Sequence, residues 1–377
     1  MKKILITGGG GFIGSNLSLK LVDLGYDVTV IDNYSEQIHG TDHKNSSLYK
    51  SIADKVRILE TTILNRDLML SLVKSNEILV HYAAETGTGQ SMYDIYKYSN
   101  VNIQGTALLL DLITNEENTI SKIVVASSRS IYGEGKYHCE TDGIVYPTAR
   151  DGKDMDNGDF DVKCPICHNS VELLFTDESS KIHPSSVYGI TKQVQEQLIS
   201  LIGKSKGIPT VGLRYQNVYG PGQSLQNPYT GILSIFSTRI LNQNSINIFE
   251  DGKESRDFIY IDDVVDATIL AIESERSDND IYNVGSGVGT SVIEVAEHLY
   301  SNYNVTPDYS VTGNYRLGDI RHNIADMQKI KSALAFKPKV SFEKGIQQFC
   351  DWVNSQEVME DKYDQSVIEM KNKGLLK

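Results

Sequence analysis

The sequence predicts an α/β fold built on a doubly wound parallel sheet, with a smaller C-terminal α/β domain and an insert that carries cysteines. Three observations indicate this class. Short apolar runs alternate with helical patterns in the first half of the chain, a glycine-rich turn joins the first run to the first helix, and an acid ends the second run. Such alternation predicts parallel strands with helices on both faces and ligands at the strands' carboxyl ends.

The first strand, turn and helix have the pattern of a dinucleotide-binding site. Residues 3–7 are apolar, and the turn that follows contains Gly9, Gly11 and Gly14 in the spacing G-x-G-x-x-G. These glycines let the backbone approach a pyrophosphate, which the N–H groups of the helix N-terminus bind. Asp32 ends the next apolar run, DVTVID, where a carboxylate accepts ribose hydroxyls and repels a 2′-phosphate. The pattern therefore predicts a Rossmann-type site that prefers NAD to NADP.

Further strands are predicted near residue 56 (VRIL), residue 77 (EILVHYAA) and residue 121 (SKIVVASS). Helical segments separate them, so the connections should be right-handed crossovers. His81 ends one of these apolar runs, and we expect it to be a buried structural histidine.

Length and charge limit the classes of partner. The chain has 377 residues, which suits about two domains of about 150 residues each. Its net charge of −13 argues against a nucleic-acid backbone or an anionic membrane as the main partner. The first apolar run is too short for a signal peptide or a membrane span. We therefore expect a cytoplasmic protein whose four cysteines form no disulfides.

Acid–base chemistry is indicated in the stretch SSVYGITKQVQE, residues 185–196. Tyr188 and Lys192 are four residues apart, so a helix would place them on one face. A lysine ammonium beside a phenol favours the phenolate and lowers the tyrosine pKa, which would make Tyr188 a usable general base.

The sequence resembles the extended short-chain dehydrogenase/reductase family, the NAD-dependent nucleotide-sugar epimerases and dehydratases. The segments that carry this resemblance follow the family's order over most of the chain: TGGGGFIG (7–14), VID (30–32), HYAA (81–84), NIQGT (102–106), ASSRSIYG (126–133), YGITK (188–192), LRYQNVYGPG (213–222) and SRDFIYIDDV (255–264).

The resemblance implies a role for each matching residue. The catalytic residues would be Ser128, Tyr188 and Lys192. The cofactor-binding residues would be Gly8, Gly11, Phe12, Ile13, Gly14, Asp32, Asn33, Ile63, Ala83, Ala84 and Asn102, together with Tyr188 and Lys192. The substrate-binding residues would be Ser128, Arg129, Asn217, Arg256, Arg316 and Asp319. The arginines would clamp the diphosphate, because a guanidinium pairs bidentately with phosphate oxygens. One departure is Thr62-Ile63, where the family usually has Asp-Ile near the adenine.

The resemblance also favours one branch of the family. Its 4,6-dehydratases carry Asp-Glu after the catalytic Thr, whereas this chain has Arg129 and Ser130, which argues against dehydration. A 4-epimerase needs no such pair, because it oxidises C4 to a ketone and reduces it on the other face. Three segments, at 87–95, 214–237 and 316–327, resemble a bacterial subgroup that includes dTDP-L-rhamnose 4-epimerase, and they imply a dTDP-linked 6-deoxyhexose. The alternatives are a UDP-glucose/galactose 4-epimerase, a net oxidoreductase or decarboxylase, and an NAD-binding scaffold without turnover.

The expected organisation follows from these assignments. Residues 1–212, with 255–272 returning to them, would form the NAD-binding domain and contain the insert at 135–182. Residues 213–254 and 273–377 would bind the nucleotide sugar. The family commonly forms homodimers through two helices, which here would lie near 97–114 and 188–203.

The insert holds three of the four cysteines: Cys139, Cys164 and Cys167. Its composition predicts no apolar core. Three interpretations remain open: a structural zinc site, a Cys-x-x-Cys redox pair and free thiols. For zinc, the fourth ligand would be Asp142, which the spacing Cys-x-x-Asp favours, or one of the histidines His138, His168 and His183. We expect the insert to lie beside the mouth of the active site.

Overall fold

The computed structural model describes residues 1–229 and 231–377. The strands are β1 (Lys3–Thr7), β2 (Asp27–Asp32), β3 (Arg57–Glu60), β4 (Ile78–His81), β5 (Lys122–Ser128), β6 (Tyr137–Cys139), β7 (Gly143–Val145), β8 (Glu172–Leu173), β9 (Thr210–Tyr215), β10 (Asn217–Tyr219), β11 (Ile246–Ile248), β12 (Ser255–Tyr260), β13 (Asp280–Val284), β14 (Gly289–Ser291), β15 (Tyr309–Val311) and β16 (His322–Asn323).

The α-helices are α1 (Phe12–Asp23), α2 (Glu36–His39), α3 (Ser47–Ile52), α4 (Arg66–Val73), α5 (Thr88–Ser91), α6 (Ile95–Tyr98), α7 (Gly105–Asn115), α8 (Gly152–Asp156), α9 (Val187–Lys206), α10 (Ile232–Leu241), α11 (Ile261–Glu273), α12 (Val292–Tyr303), α13 (Gln328–Leu334), α14 (Phe342–Asn354) and α15 (Tyr363–Asn372). Single turns of 3₁₀ helix cover His43–Asn45, Arg129–Tyr132 and Glu275–Ser277, and Ser99–Gln104 is π-helical.

The main sheet is parallel and has the strand order β13-β9-β5-β4-β1-β2-β3. The chain order reverses between β1 and β4, and ligands bind at such a switch point in open α/β sheets. Thr7 pairs in register with His81, so the glycine turn after β1 lies beside the residues that follow β4. The predicted Rossmann-type sheet is confirmed, and its strands follow the predicted apolar runs.

The C-terminal part forms smaller sheets around the main one. Strands β10, β12, β14 and β16 form a mixed sheet, and β11 pairs with β15. Strand β13 differs from the expected division of the chain: it lies in the range 273–377 yet extends the main sheet by pairing with β9. The reason is burial, because Tyr282 and Val284 on β13 lie in the main core. Across the described residues, no helix combines the length and the apolar composition that a membrane span needs.

The insert forms a three-stranded antiparallel sheet in the order β7-β6-β8. It has a small apolar core, contrary to the prediction of none. The buried members of this core are Tyr137, Cys139, Val145, Val162 and Cys164. The prediction was wrong because these residues are far apart in sequence, and only the pairing of three very short strands brings them together.

Candidate functional site

A cavity of about 340 Å³ opens at the switch point between β1 and β4. The residues predicted to bind the cofactor line it, with the exception of Asn102. They are Gly8, Gly11, Phe12, Ile13, Gly14, Asp32, Asn33, Ile63, Ala83, Ala84, Tyr188 and Lys192. Ser128 also lines the cavity, as does Thr62, the position at which the sequence departs from the family's usual Asp.

The glycine turn is shaped for close backbone approach. Gly8 has a φ of +69°, and a Cβ there would lie 2.7 Å from the backbone nitrogen of Ala83. A Cβ on Gly14 would lie 2.5 Å from the carbonyl oxygen of Gly8. Helix α1 begins at Phe12, directly after the turn, so the N–H groups of its first turn have no intrahelical acceptor. The turn therefore fits a dinucleotide pyrophosphate.

Asp32 ends β2 at the edge of the cavity. Its carboxylate accepts hydrogen bonds from the backbone N–H of Gly10 at 3.0 Å and of Tyr34 at 2.9 Å. Burial raises the pKa of Asp32, while these backbone hydrogen bonds act in the opposite direction. The bonds fix the carboxylate beside the glycine turn, where the sequence predicted a ribose contact.

Asn102 lies behind the cavity and joins two of its walls. Its Oδ1 accepts a hydrogen bond from the N–H of Glu85 at 2.7 Å, and its Nδ2 donates to Oγ1 of Thr191 at 2.9 Å. The Asn102 side chain is fully buried. It therefore positions helix α9 against the loop after β4, and the cofactor contact predicted for Asn102 stays a prediction.

The predicted catalytic side chains come from two elements. Ser128 is the last residue of β5, and its Oγ accepts a hydrogen bond from Ser130 Oγ at 2.9 Å. Tyr188 is in the first turn of α9, which the Ser186 side chain caps by accepting from the N–H of Gly189 at 3.1 Å. The backbone N–H of Tyr188 also donates to Ser91 Oγ at 3.0 Å. The end of a sheet strand and the start of a capped helix therefore converge on the cavity.

Burial dominates the electrostatics of the Tyr188–Lys192 pair. Burial raises the pKa of Tyr188, and a hydrogen bond with Ser128 and the charge of Arg129 only partly oppose this rise. Burial also lowers the pKa of Lys192 to about 7. Burial outweighs the nearby charges for both groups in this structure, and the lowering of the Tyr188 pKa by Lys192 stays a prediction.

Gln195 is a site residue that the sequence reasoning missed. Its Oε1 accepts a hydrogen bond from Lys192 Nζ at 2.7 Å, and its Nε2 donates to Thr106 Oγ1 at 2.9 Å. The Gln195 side chain is fully buried. The available signal was its spacing, three residues after Lys192 on the same helical face.

His81 is buried beside Gln195. Burial, followed by the charge of Lys192, lowers the pKa of His81 to about 3, so His81 is a neutral structural histidine.

The predicted substrate residues form a second group, outside the described lining of the cavity apart from Ser128. Arg129 donates from Nε to Asn217 Oδ1 at 2.8 Å, and Arg256 pairs with Asp319 at 3.0 Å. Arg316 stacks over the ring of Phe249 at 4.9 Å. Burial alone would raise the pKa of Asp319, but Arg256, Arg316 and Arg150 lower it.

The link between this group and the insert was also missed by the sequence reasoning. Arg150 in the insert forms a bidentate pair with Glu250, at 2.6 Å and 2.7 Å, and donates to the carbonyl oxygen of Asp319 at 3.1 Å. Its Nε lies 3.4 Å from Glu134. Arg321 pairs with Glu250 at 3.1 Å from the other side. The insert therefore contacts the predicted substrate residues through a buried ion network, and no local sequence pattern connects residues 100 positions apart.

The cysteines of the insert form one cluster with a carboxylate. The ligand atoms of Cys139, Asp142, Cys164 and Cys167 all lie within 4.8 Å of one another.

The candidate histidines lie outside this cluster. Both ring nitrogens of His183 contact carbonyl oxygens, those of Lys181 and Pro147, at 3.0 Å. His138 and His168 are exposed. Of the candidates for a fourth ligand, the structure brings Asp142 to the three cysteines.

Known proteins with this architecture are also similar to this chain in sequence. The NAD dependent epimerase/dehydratase family matches residues 4–149 and 170–285. A dTDP-L-rhamnose 4-epimerase from Burkholderia thailandensis is 36% identical over 352 residues, which cover 93% of this chain and 95% of that protein.

Solved structures show the same likeness. The UDP-glucose 4-epimerase of Thermotoga maritima, solved with UDP-glucose, gives a TM-score of 0.75 at 29% identity, covering 94% of this chain and 99% of the other. The UDP-glucuronic acid 4-epimerase of Bacillus cereus, solved with UDP-glucuronic acid and NAD, gives 0.76 at 25% identity with the same coverage. On these matches, the chain belongs to the NAD-dependent epimerase/dehydratase family, which confirms the predicted family and enzyme class.

Proposed function

We propose that this protein is an NAD-dependent nucleotide-sugar 4-epimerase that acts through a 4-keto intermediate. The observation that carries the proposal is the convergence of Ser128, Tyr188 and Lys192 on a cavity that is also lined by a glycine turn fitted to a dinucleotide. When bound, NAD would supply the reversible hydride acceptor that inversion at C4 needs.

The side chains supply the remaining acid–base chemistry. Tyr188 would act as the phenolate, which takes the proton of the 4-hydroxyl and returns it to the product oxygen; its charge must form against the burial that raises its pKa in this structure. Ser128 hydrogen-bonds the same oxygen and the phenol, which keeps the two aligned. Lys192 would hold the nicotinamide ribose, and the hydrogen bond from its Nζ to Gln195 Oε1 would fix the position of the Nζ atom. The positions after Ser128 carry Arg129 and Ser130, so the second acid–base pair of a dehydratase is not placed there.

For the substrate, we propose a dTDP-linked 6-deoxyhexose. The support is the likeness to the Burkholderia thailandensis dTDP-L-rhamnose 4-epimerase, which extends over nearly all of both chains. The diphosphate would bind at Arg256 and Arg316 and the ribose at Asp319. The lowered pKa of Asp319 keeps its carboxylate ionised as a hydrogen-bond acceptor.

A UDP-hexose is the second candidate substrate. The solved relatives with UDP-glucose and UDP-glucuronic acid favour it, since their folds align with almost the whole chain.

A panel of dTDP- and UDP-sugars, followed by NMR for inversion at C4, tests the proposal and separates the two substrates. We expect turnover without net NADH formation. If NADH accumulates in step with product, the protein is a net oxidoreductase or decarboxylase. Tyr188→Phe should lower kcat by about 10²-fold or more while NAD still binds. The exposed Tyr96 gives the control, and Tyr96→Phe should be unchanged. If Tyr188→Phe turns over like the wild type, this acid–base assignment is wrong.

We also propose a cytoplasmic homodimer with a structural zinc ion in the insert. The proposed dimer surface lies on helices α7 and α9, where Ile190 and Leu201 of α9 are 47% and 64% exposed. The proposed zinc rests on the cysteine cluster and takes no part in the reaction.

A further inference from the structure

The cysteine cluster of the insert has the dimensions of a tetrahedral metal site. Cys139 Sγ lies 3.5 Å from Cys167 Sγ and 3.5 Å from Asp142 Oδ2, and Cys164 Sγ lies 3.1 Å from the same oxygen. A zinc ion with bonds of about 2.3 Å to sulfur requires sulfur atoms about 3.8 Å apart. The four ligand atoms therefore lie close enough together to share one metal ion.

The local backbone explains why these side chains converge. Cys139 ends β6, and Asp142 lies in the turn that leads to β7. Cys164 begins a tight turn in which the N–H of His168 donates to its carbonyl oxygen at 3.1 Å, and His168 has a φ of +61°. The N–H of Ile166 points to Cys164 Sγ at 3.5 Å. A backbone N–H directed at sulfur stabilises a thiolate, which is the form that binds metal.

We propose that Cys139, Asp142, Cys164 and Cys167 bind one zinc ion that organises the insert. Thiolates favour zinc, and a closed set of four protein ligands is typical of a structural rather than a catalytic site. The sheet of the insert has a core of five buried residues, and Met155 and Phe160 of the insert pack separately against Tyr315. Clusters of this size are too small to order a segment of this length by burial alone. A metal shared by the β6–β7 corner and the Cys164 turn supplies the missing constraint.

The other interpretations of the cysteines fit less well. A sulfur–sulfur distance of 3.5 Å is far from the bond of about 2.0 Å in a disulfide. A redox pair of the Cys-x-x-Cys type opens a helix, whereas Cys164 opens a turn between bridged residues of the insert. The family match also leaves out residues 150–169, which contain Cys164 and Cys167. Two of the four ligands therefore lie outside the matched residues, whereas Cys139 and Asp142 lie within them.

Metal content of the purified protein tests the proposal directly. The protein is expressed in ordinary medium and purified without added metal or chelator, and zinc is measured by mass spectrometry. We expect close to one zinc per chain in the wild type and a large loss in the Cys164→Ser/Cys167→Ser variant. Cys350 lies outside the cluster, on helix α14, so Cys350→Ala is the matched control and should keep its zinc.

A second variant separates a metal ligand from a hydrogen-bonded thiol cluster. Asp142→His should retain zinc, because three cysteines and one histidine form a common structural site, whereas Asp142→Ala should bind it about tenfold more weakly or worse. Cobalt substitution should give thiolate charge-transfer absorption that changes between the wild type and Asp142→His.

Two results would overturn the site. One is a wild-type protein that contains no zinc and binds no cobalt. The other is a disulfide between two of the three cysteines in peptide mapping. Both results are measured on the wild-type protein, so the proposal is tested even if a variant fails to fold.

Discussion

Gln195 shows how a single amide can organise a cofactor site. It connects Lys192, which faces the cavity, to Thr106 on α7 and to the buried His81. A neutral amide suits this position because it can accept from the ammonium and donate to the hydroxyl at the same time. An apolar replacement would leave these buried groups without a partner.

We therefore expect Gln195→Leu to lower the free energy of unfolding by about 1–3 kcal/mol. It should also weaken NAD binding, because Lys192 would lose the acceptor that fixes its ammonium group. Thermal unfolding and titration with NAD measure the two effects. Exposed Gln197, two residues further along the same helix, provides Gln197→Leu as the control, which should leave both unchanged. An unchanged NAD affinity in Gln195→Leu would show that Lys192 needs no positioning.

A second buried residue, Glu134, should make the stability of the protein depend on pH. Burial raises its pKa to about 7, against the opposing charge of Arg150. Between pH 5 and 7 the unfolded chain has lost this proton while the folded chain keeps it, so stability falls as pH rises. The fall from Glu134 should be on the order of 3 kcal/mol and should end above pH 7.

Glu134→Gln should reduce the slope of the free energy of unfolding against pH, measured by denaturant unfolding at each pH. It should not abolish the slope, because burial also raises the pKa of Glu254 to about 7. A slope equal to that of the wild type would mean that Glu134 is ionised in the folded protein throughout this range.

At the scale of elements, Arg150 connects the insert to the rest of the molecule. Arg150 and Glu250 are each 4% exposed. Removing one partner of a buried ion pair is strongly destabilising, because the remaining charge stays buried. The same arginine contacts Asp319, so its loss should also disturb the predicted nucleotide-sugar pocket.

Arg150→Met should therefore lower the free energy of unfolding by about 3 kcal/mol and raise KM for the nucleotide sugar, with unchanged NAD affinity. Arg66→Met is the matched control, since the Arg66–Asp111 pair is about half exposed and should contribute about 1 kcal/mol or less. If both variants lose the same stability, the network does not hold the insert.

Local patterns predicted the elements of the NAD side well and those of the insert poorly. Strand β1, the glycine turn and Asp32 lie within 30 residues, and their periodicity and spacing are sufficient to place them together. The insert core, the Glu250 pair and the position of β13 depend on contacts between distant residues. The effect of burial on Tyr188 and Lys192 was likewise not predictable, because spacing shows that a lysine is near the tyrosine but not how deeply the two groups are buried.

The whole molecule exposes apolar side chains where the proposed dimer surface lies. Leu201 and Ile190 on α9 are joined there by Tyr96 of α6, which is 82% exposed. Burying such residues against a second copy would remove apolar surface from water at about 25 cal/mol per Å².

We expect Leu201→Glu to convert a dimer into a monomer, as measured by light scattering after size exclusion. Val358 is 60% exposed and belongs to none of these helices, so Val358→Glu should remain dimeric. A wild type that already runs as a monomer, or a Leu201→Glu variant that stays dimeric, would reject this surface.

The buried ion network has a consequence for protein engineering. Arg321 contacts both Glu250 and Asp251, and Glu250 in turn receives Arg150 from the insert. These side chains form one ion-pair network whose members come from three separate stretches of chain. A chimaera that receives only the insert from a relative will carry the relative's residue at position 150 but not the partners that this residue pairs with. Grafting should succeed when residues 250, 251 and 321 travel with the insert, and should give aggregation-prone chimaeras when they do not.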